Sequence, residues 1–423
     1  MPIHACGIVL GRTGDGMIGP LETEAMTTAS TPSSIPATKT AADPLRLMDV
    51  DHVRLYVGNA KQSAYFYAHT FGFTVSQYSG LTTGSRDSAS YLLTQGNIRL
   101  LLTTGLHKDH PAQKEVALYG DGVKDVAFTV RDATAAYEQA LRNGGESAYE
   151  PVETRSDAGD GAVTMAGVKI YGRCVHSFVS RAGIYELEKM QAGGPFLPGF
   201  ANQESFALND YNRDHPCGLR FVDHCVGNVE LGGMDRWVKW YEDVMGFKLF
   251  KHFDDEDIST EYSALMSKVM DSGFGIIKMP INEPAAGLKK SQIQEYLDWH
   301  DNAGGVQHLA FRTDDELESV AELRRRGVDF LTIPDAYYDT VWKRVSKLGW
   351  DVKEDHEQIR DLGILVDADE EGYLLQLFTK PLQDRPTLFF EIICRRGSQS
   401  FGKGNFKALF ESLEIEQDRR GNL

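Results

Sequence analysis

Val222-Asp-His-Cys-Val-Gly-Asn228 is a second copy of Val50-Asp-His-Val-Arg-Leu-Tyr-Val-Gly-Asn59. Each is an apolar, strand-like run interrupted by a single imidazole. Each is followed by an amphipathic aromatic segment, Ser63-Ala-Tyr-Phe-Tyr-Ala-His-Thr-Phe-Gly-Phe73 or Arg236-Trp-Val-Lys-Trp-Tyr-Glu-Asp-Val-Met-Gly-Phe247. These segments read as helices stopped by a Gly. A second pair strengthens the repeat: Gly122-Val-Lys-Asp-Val-Ala-Phe128 matches Gly305-Val-Gln-His-Leu-Ala-Phe311, and helical patterns ending at Gly144-Gly145 and Gly327 follow. The unit is therefore strand, helix, then further strands, present four times, which predicts an α+β fold.

Three side chains stand out inside such strands: His224, His308 and Glu391, the last within Leu388-Phe-Phe-Glu-Ile-Ile393. They lie 84 and 83 residues apart, at matching points of successive units. A carboxylate among Phe389, Phe390, Ile392 and Ile393 is costly to bury unless a cation or several hydrogen-bond donors receive it. Residues two apart in a strand share a face, so His224 points with Val226, His308 with Ala310 and Glu391 with Phe389. Two imidazoles and one carboxylate form the ligand set of a non-haem Fe(II) facial triad. The same set serves catalytic zinc, but the helical H-E-x-x-H of zinc proteases is absent. The preceding strand, Gly372-Tyr-Leu-Leu-Gln-Leu-Phe-Thr379, places Gln376 and Phe378 on one face beside the carboxylate. In the first half His52 survives, Asp125 stands where His308 is expected, and Arg173-Cys-Val-His-Ser-Phe178 has no glutamate. That half reads as metal-free.

The composition, 42% hydrophobic and 25% charged, is that of a soluble globular protein with more than one core. A formal charge of −17 repels nucleic acid and anionic membranes and directs attention to small-molecule chemistry. No apolar run approaches the roughly 20 residues of a membrane span, and a cytoplasmic location is expected. The five cysteines form no C-x-x-C pair, so they read as reduced and structural. Residues 1–46, centred on Thr27-Thr-Ala-Ser-Thr-Pro-Ser-Ser-Ile-Pro36, read as a disordered leader, with Met26 a second candidate start. Gly193–Phe200 and Asn209–Pro216 read as a connection, separating a domain at 47–205 from a catalytic one at 217–423. Lys289-Lys290 and Arg324-Arg-Arg326 read as exposed helix faces, and Asp254–Asp257 as a solvated loop. After Glu391, Phe406, Leu409, Phe410 and Leu413 fall at helical spacing and predict an amphipathic C-terminal helix that packs over the rest.

From about Met48 to Leu423 the chain resembles the 4-hydroxyphenylpyruvate dioxygenase family of the vicinal oxygen chelate superfamily. Beside the three ligand-bearing strands, the resemblance rests on Pro280-Ile-Asn-Glu-Pro284, Lys290-Ser-Gln-Ile293, Leu375-Gln-Leu-Phe-Thr-Lys-Pro381, Asp384-Arg-Pro386 and Phe401-Gly-Lys-Gly-Asn-Phe406. It implies tandem βαβββ modules in two open barrels, and one Fe(II) per chain held by His224, His308 and Glu391. It implies substrate-pocket roles for Ser263, Pro280, Asn282, Gln292 and Phe389, and closer catalytic roles for Gln307, Gln376, Phe378, Asn405 and Phe406. Phe378 and Phe406 would sandwich the substrate ring, with the C-terminal helix as a lid. The implied substrates are 4-hydroxyphenylpyruvate and O₂, the product homogentisate, and the assembly a homodimer or tetramer. A related activity on the same substrate, 4-hydroxymandelate synthesis, oxidises the benzylic carbon instead. The Phe378 and Phe401–Phe406 pattern favours the ring-hydroxylating reaction. Beyond these two lies another metal-dependent enzyme of the same scaffold.

Overall fold

The expected connection near residue 205 separates two sheets in the computed structural model, which describes residues 44–203, 206–253, 265–272, 275–285 and 290–421. The first sheet holds β1 (Asp49–Tyr56), β2 (Thr74–Ser79), β3 (Ser88–Gln95), β4 (Ile98–Gly105), β5 (Gly122–Thr129), β6 (Ser147–Arg155), β7 (Gly161–Lys169), β8 (Val175–Gly183) and the short β9 (Ala201–Asn202). Its order is β6-β7-β8-β5-β1-β4-β3-β2-β9. The second holds β10 (Leu219–Asn228), β11 (Lys248–Phe253), β12 (Leu265–Asp271), β13 (Lys278–Pro284), β14 (Gly305–Thr313), β15 (Leu365–Ala368), β16 (Tyr373–Phe378) and β17 (Phe389–Arg396). Its order is β11-β12-β13-β10-β14-β17-β16-β15.

Each sheet is two βαβββ units joined through their first strands. β1 pairs antiparallel with β5 as β10 does with β14, and β5 runs parallel to β8 as β14 does to β17. The helices Ala60–Phe71, Ala133–Arg142, Met234–Trp240 and Glu316–Arg325 follow the four first strands. The first ends at Gly72 (φ 70°). The third passes into a π-helical turn, Tyr241–Met245, and ends at Gly246 (φ 70°). Both caps occupy the left-handed region that Gly enters without steric cost. The shared Gly-Asn of the two opening motifs turns out not to be equivalent. Asn59 caps the helix Ala60–Phe71 through its side chain, whereas Asn228 is the last residue of β10.

Two expectations are corrected. Asn209–Asp214 forms a short helix inside the connection, because Asn209 bonds the backbone of Val75 and Asn212 bonds the carbonyls of Ala68 and Phe73. Arg326 is not on an exposed face. Its guanidinium is buried against Glu322, the Asn212 side chain and the carbonyls of His69 and His215, so it ties the last unit to the first. Cys174, Cys217, Cys225 and Cys394 are buried free thiols. Leader residues 1–43, Asp254–Asp257, Ser263 and Lys289 lie outside the described residues.

Candidate metal centre and aromatic cavity

The strand register brings the three intruding side chains together. In β10 and β14, His224 is opposite Ala310 and Val226 opposite His308; across β14 and β17, Ala310 is opposite Glu391. One ligand atom from each of His224, His308 and Glu391 falls within 4.8 Å of the others, and all three side chains are buried. Glu391 Oε2 lies 3.0 Å from His224 Nε2 and 3.4 Å from His308 Nε2. Adjacent ligands of an octahedral divalent ion at about 2.1 Å are separated by roughly 3 Å, so each imidazole stands at a distance from the carboxylate that suits neighbouring positions on such an ion.

The partners of the ring nitrogens favour the same use. His224 Nδ1 donates to Asp223 Oδ1 at 2.9 Å, and His308 Nδ1 donates to Gln307 Oε1 at 3.1 Å, which leaves both Nε2 atoms facing the Glu391 carboxylate, where a cation would take their lone pairs. Asp223 in turn receives Arg395 in a two-pronged contact, Nε to Oδ2 at 2.9 Å and Nη2 to Oδ1 at 2.7 Å. Burial pushes the Asp223 carboxyl up, but the Arg395 charge and the His224 hydrogen bond outweigh it and hold the group well below the usual carboxylate range. Burial likewise pushes Glu391 up, and the two imidazoles overcome it to bring the group down to about 2. His224 is shifted upward because Glu391 and Asp223 outweigh its burial, whereas burial dominates at His308 and shifts it downward. The centre thus offers an ionised carboxylate and two imidazoles whose outer nitrogens are engaged, a donor set that fits a divalent cation.

These three side chains line a cavity of about 590 Å³, part of it continuous with solvent. Of the pocket residues anticipated from the sequence, Pro280, Asn282, Gln292, Gln307, Phe378, Phe389 and Phe406 line it. Phe389 stacks on His308 (4.7 Å, 21°), and Phe378, opposite Glu391 in the sheet, meets His308 edge-on at 6.0 Å. The C-terminal helix Phe406–Arg419 packs back as expected and contributes Leu409, Phe410 and Leu413 to the cavity wall.

Gln376 and Asn405 are placed differently. Gln376 is buried behind the turn at Gly402, where a Cβ would meet its Nε2 at 2.3 Å, and neither of its amide atoms has a hydrogen-bond partner among the described residues. The Asn405 side-chain oxygen accepts from Tyr337 Oη (2.7 Å) and Arg344 Nη2 (2.8 Å), so the residue anchors the start of the C-terminal helix rather than lining the cavity. Sequence reasoning missed Phe253, Leu265, Ser267, Val269 and Phe401. The alternation of 265, 267 and 269 along β12 is a period-2 signal for one face. Phe401, edge-on to His224 at 5.0 Å and under the Arg395 guanidinium at 5.3 Å, carries no such signal, because its position depends on the turn after β17.

The first half repeats the outer arrangement without the ligands. Asp51 bonds His52 Nδ1 (2.8 Å) and receives Arg181 at 2.9 and 2.8 Å, and Phe196 stands to His52 and Arg181 as Phe401 does to His224 and Arg395. By register, Asp125 replaces His308. Because Val175 is opposite Asp125 as Phe389 is opposite His308, Ser177, two residues farther along β8, replaces Glu391. Ser177 donates to the Asp125 carboxylate. Among the described residues, His224, His308 and Glu391 form the one group of three possible metal ligands.

The sequence profile of the glyoxalase/bleomycin resistance protein/dioxygenase superfamily matches residues 49–169 and 222–377. The chain is 45% identical over 406 residues to a 4-hydroxyphenylpyruvate dioxygenase of Yarrowia lipolytica, covering 94% of this chain and 98% of that one. It is 43% identical to the protein of the same name from Dictyostelium discoideum (88% and 99% covered) and 46% identical to that of Caenorhabditis elegans (88% and 93%). Among solved structures it resembles a triple mutant of 4-hydroxymandelate synthase from Streptomyces coelicolor, with a TM-score of 0.74 at 29% identity, covering 88% of this chain and 99% of that one.

Proposed function

This chain belongs to the 4-hydroxyphenylpyruvate dioxygenase family within the glyoxalase/bleomycin resistance protein/dioxygenase superfamily, and from that premise we propose that it converts 4-hydroxyphenylpyruvate and O₂ to homogentisate and CO₂ in tyrosine catabolism. The observation that carries the reading is the buried His224, His308 and Glu391 cluster in the wall of a phenyl-lined cavity. We propose Fe(II), one per chain, as the ion these three residues hold. When bound, it supplies a site where the α-keto acid arm and O₂ meet and react.

The rest is the work of the chain. Phe378, Phe389 and Phe406 present apolar surface to a flat ring and restrict its tilt by stacking and edge contacts. Asn282, Gln292 and Gln307 are the amides in the wall, suited to hold the phenol by hydrogen bonds without an ionised group that competes for the cation. Gln376 and Asn405 act on the pocket through Gly402 and the start of the C-terminal helix, and Pro280 lines the same wall; the substrate role implied for Ser263 falls outside the described residues. Leu409, Phe410 and Leu413 keep water from the reacting arm. Release of CO₂ from the pyruvyl arm with entry of one O₂ oxygen into the arm's new carboxylate, hydroxylation by the other oxygen at the ring carbon that bears the arm, and migration of the arm to the neighbouring carbon account for all atoms of homogentisate. We place this chemistry in residues 217–423, with residues 47–205 as a metal-free duplicate, in a cytoplasmic homo-oligomer. No helix among the described residues is long and apolar enough to cross a membrane.

The alternative product, hydroxymandelate, needs the same substrate and ion. The identities of 43–46% to proteins named as the dioxygenase, against 29% to the synthase mutant, favour homogentisate. The test is anaerobic loading with Fe(II), addition of 4-hydroxyphenylpyruvate and air, and chromatography of the product. Homogentisate is expected. Hydroxymandelate would overturn the product assignment, and no oxygen-dependent loss of the keto acid would overturn the reaction.

A further inference from the structure

The first sheet has its own cleft, where the register of the duplicate places the counterpart of the catalytic wall. Arg54 lies opposite Asp125 as Val226 lies opposite His308, so an apolar residue of the catalytic cavity is replaced by a guanidinium. The cleft holds about 1070 Å³ of empty space reaching solvent. Arg54, Lys124, Lys169 and Arg173 bring four cations to it, with the phenols of Tyr56 and Tyr149. Four cations on one concave surface stand out in a chain of formal charge −17.

The pairing of these groups shows where an anion has room. Lys124 is bound to Glu115, and Lys169 to Glu146. The Asp125 carboxylate, also on the wall, is taken up by the backbone N–H and hydroxyl of Ser177, whose oxygen is shared with Tyr149 Oη at 2.6 Å. Among the described residues, Arg54 and Arg173 form no ion pair. Arg173 lies over the Tyr119 ring at 5.9 Å, and Arg54 Nε is buried without a hydrogen-bond partner. A guanidinium with a buried donor unmet among the described residues, lining the same concavity as a second one without an ion pair, suits an oxyanion that accepts paired N–H bonds.

We propose that this cleft binds a small oxyanion, the carboxylate or phosphate of a metabolite, centred on Arg54 and Arg173 and independent of the metal centre. Nothing in the proposed catalytic reaction uses the site.

The experiment is isothermal titration of the full chain with inorganic phosphate and, separately, with acetate at fixed ionic strength; the stronger of the two identifies the anion class. Saturable binding is expected, weakened at least about 10-fold in Arg54→Met, since a charge-assisted hydrogen bond is lost. Binding should be unchanged in Glu391→Ala, which separates this site from the catalytic one. Arg173→Met is the second probe if Arg54→Met does not fold, with weakening again expected. No saturable binding of either anion by the parent chain would overturn the proposal. So would affinity unaltered in the folded arginine variant, or loss of binding in Glu391→Ala.

Discussion

Arg395→Met separates what the arginine does for the fold from what it does for the metal, because Arg181 provides a matched control in the other sheet. In the second sheet the substitution removes both guanidinium contacts to Asp223 and leaves a residue that is 7% exposed, bonded to His224, with Arg312 Nη1 at 3.6 Å as its remaining Arg or Lys ion-pair partner among the described residues. Removing one partner of a buried pair costs about 3–5 kcal/mol. The residual Arg312 contact argues for the lower part of that range. Arg181→Met leaves Asp51 with His52 Nδ1 and Thr129 Oγ1, so its cost in stability should be similar. The two variants should diverge in metal binding. Loss of support behind a ligating imidazole weakens affinity roughly 10–100-fold, which is about 1.4–2.7 kcal/mol, and only Arg395→Met removes such support. Urea unfolding of the metal-free protein measures the first quantity, and anaerobic competition for Fe(II) against a chromogenic chelator measures the second. If Arg181→Met lowers Fe(II) affinity as much as Arg395→Met, or if neither lowers it, the positioning role of the Asp223–Arg395 pair is refuted.

Glu391→Ala should abolish iron retention and turnover together, checked by iron content after gel filtration; a variant with normal activity would remove Glu391 from the ligand set. Phe378→Ala should keep its iron while rate or product distribution changes, as read by chromatography, and loss of iron instead would show that Phe378 acts mainly by packing on His308. Gly402→Ala should destabilise the protein, because its φ of 76° disfavours a side chain and the new Cβ would strike the Gln376 amide at 2.3 Å; an unchanged melting temperature would contradict this packing. Glu316, buried with both carboxylate oxygens unpartnered, is shifted well above its ordinary value, first by burial and then by the Glu391 charge. The unfolded chain ionises it above about pH 4.3 while the folded state resists, so its contribution to stability falls as pH rises towards the folded value. Glu316→Gln should therefore flatten the decline in stability from pH 4 to 8, as followed by denaturant midpoints, and an identical pH profile would refute the assignment.

The repeat, the helices closed by Gly72 and Gly246 and the clustering of His224, His308 and Glu391 were legible because each rests on a local rule. Period-2 burial sets which residues share a strand face, left-handed caps require Gly, and an acid between Phe390 and Ile392 must meet a cation or donors. The chain order also showed Asp125 at the position of His308 and no glutamate in Arg173–Phe178, whereas Ser177 as the counterpart of Glu391 came only from the register. Local rules could not place Gln376, which shares a strand face with Phe378 but is cut off from the cavity by the backbone at Gly402. Nor could they show Arg326 buried against Asn212 and His69, since an arginine among arginines on a helix reads as solvated until distant carbonyls surround it. The sequence by itself determined the modular fold and the chemistry of the His224, His308 and Glu391 cluster, because strand parity and side-chain type are properties of neighbours along the chain. Tertiary structure alone decided which amides face the cavity, that Phe401 shields His224, and that Arg54 opens into a separate cleft. Those facts depend on how turns and sheets carry residues far apart in the chain into contact.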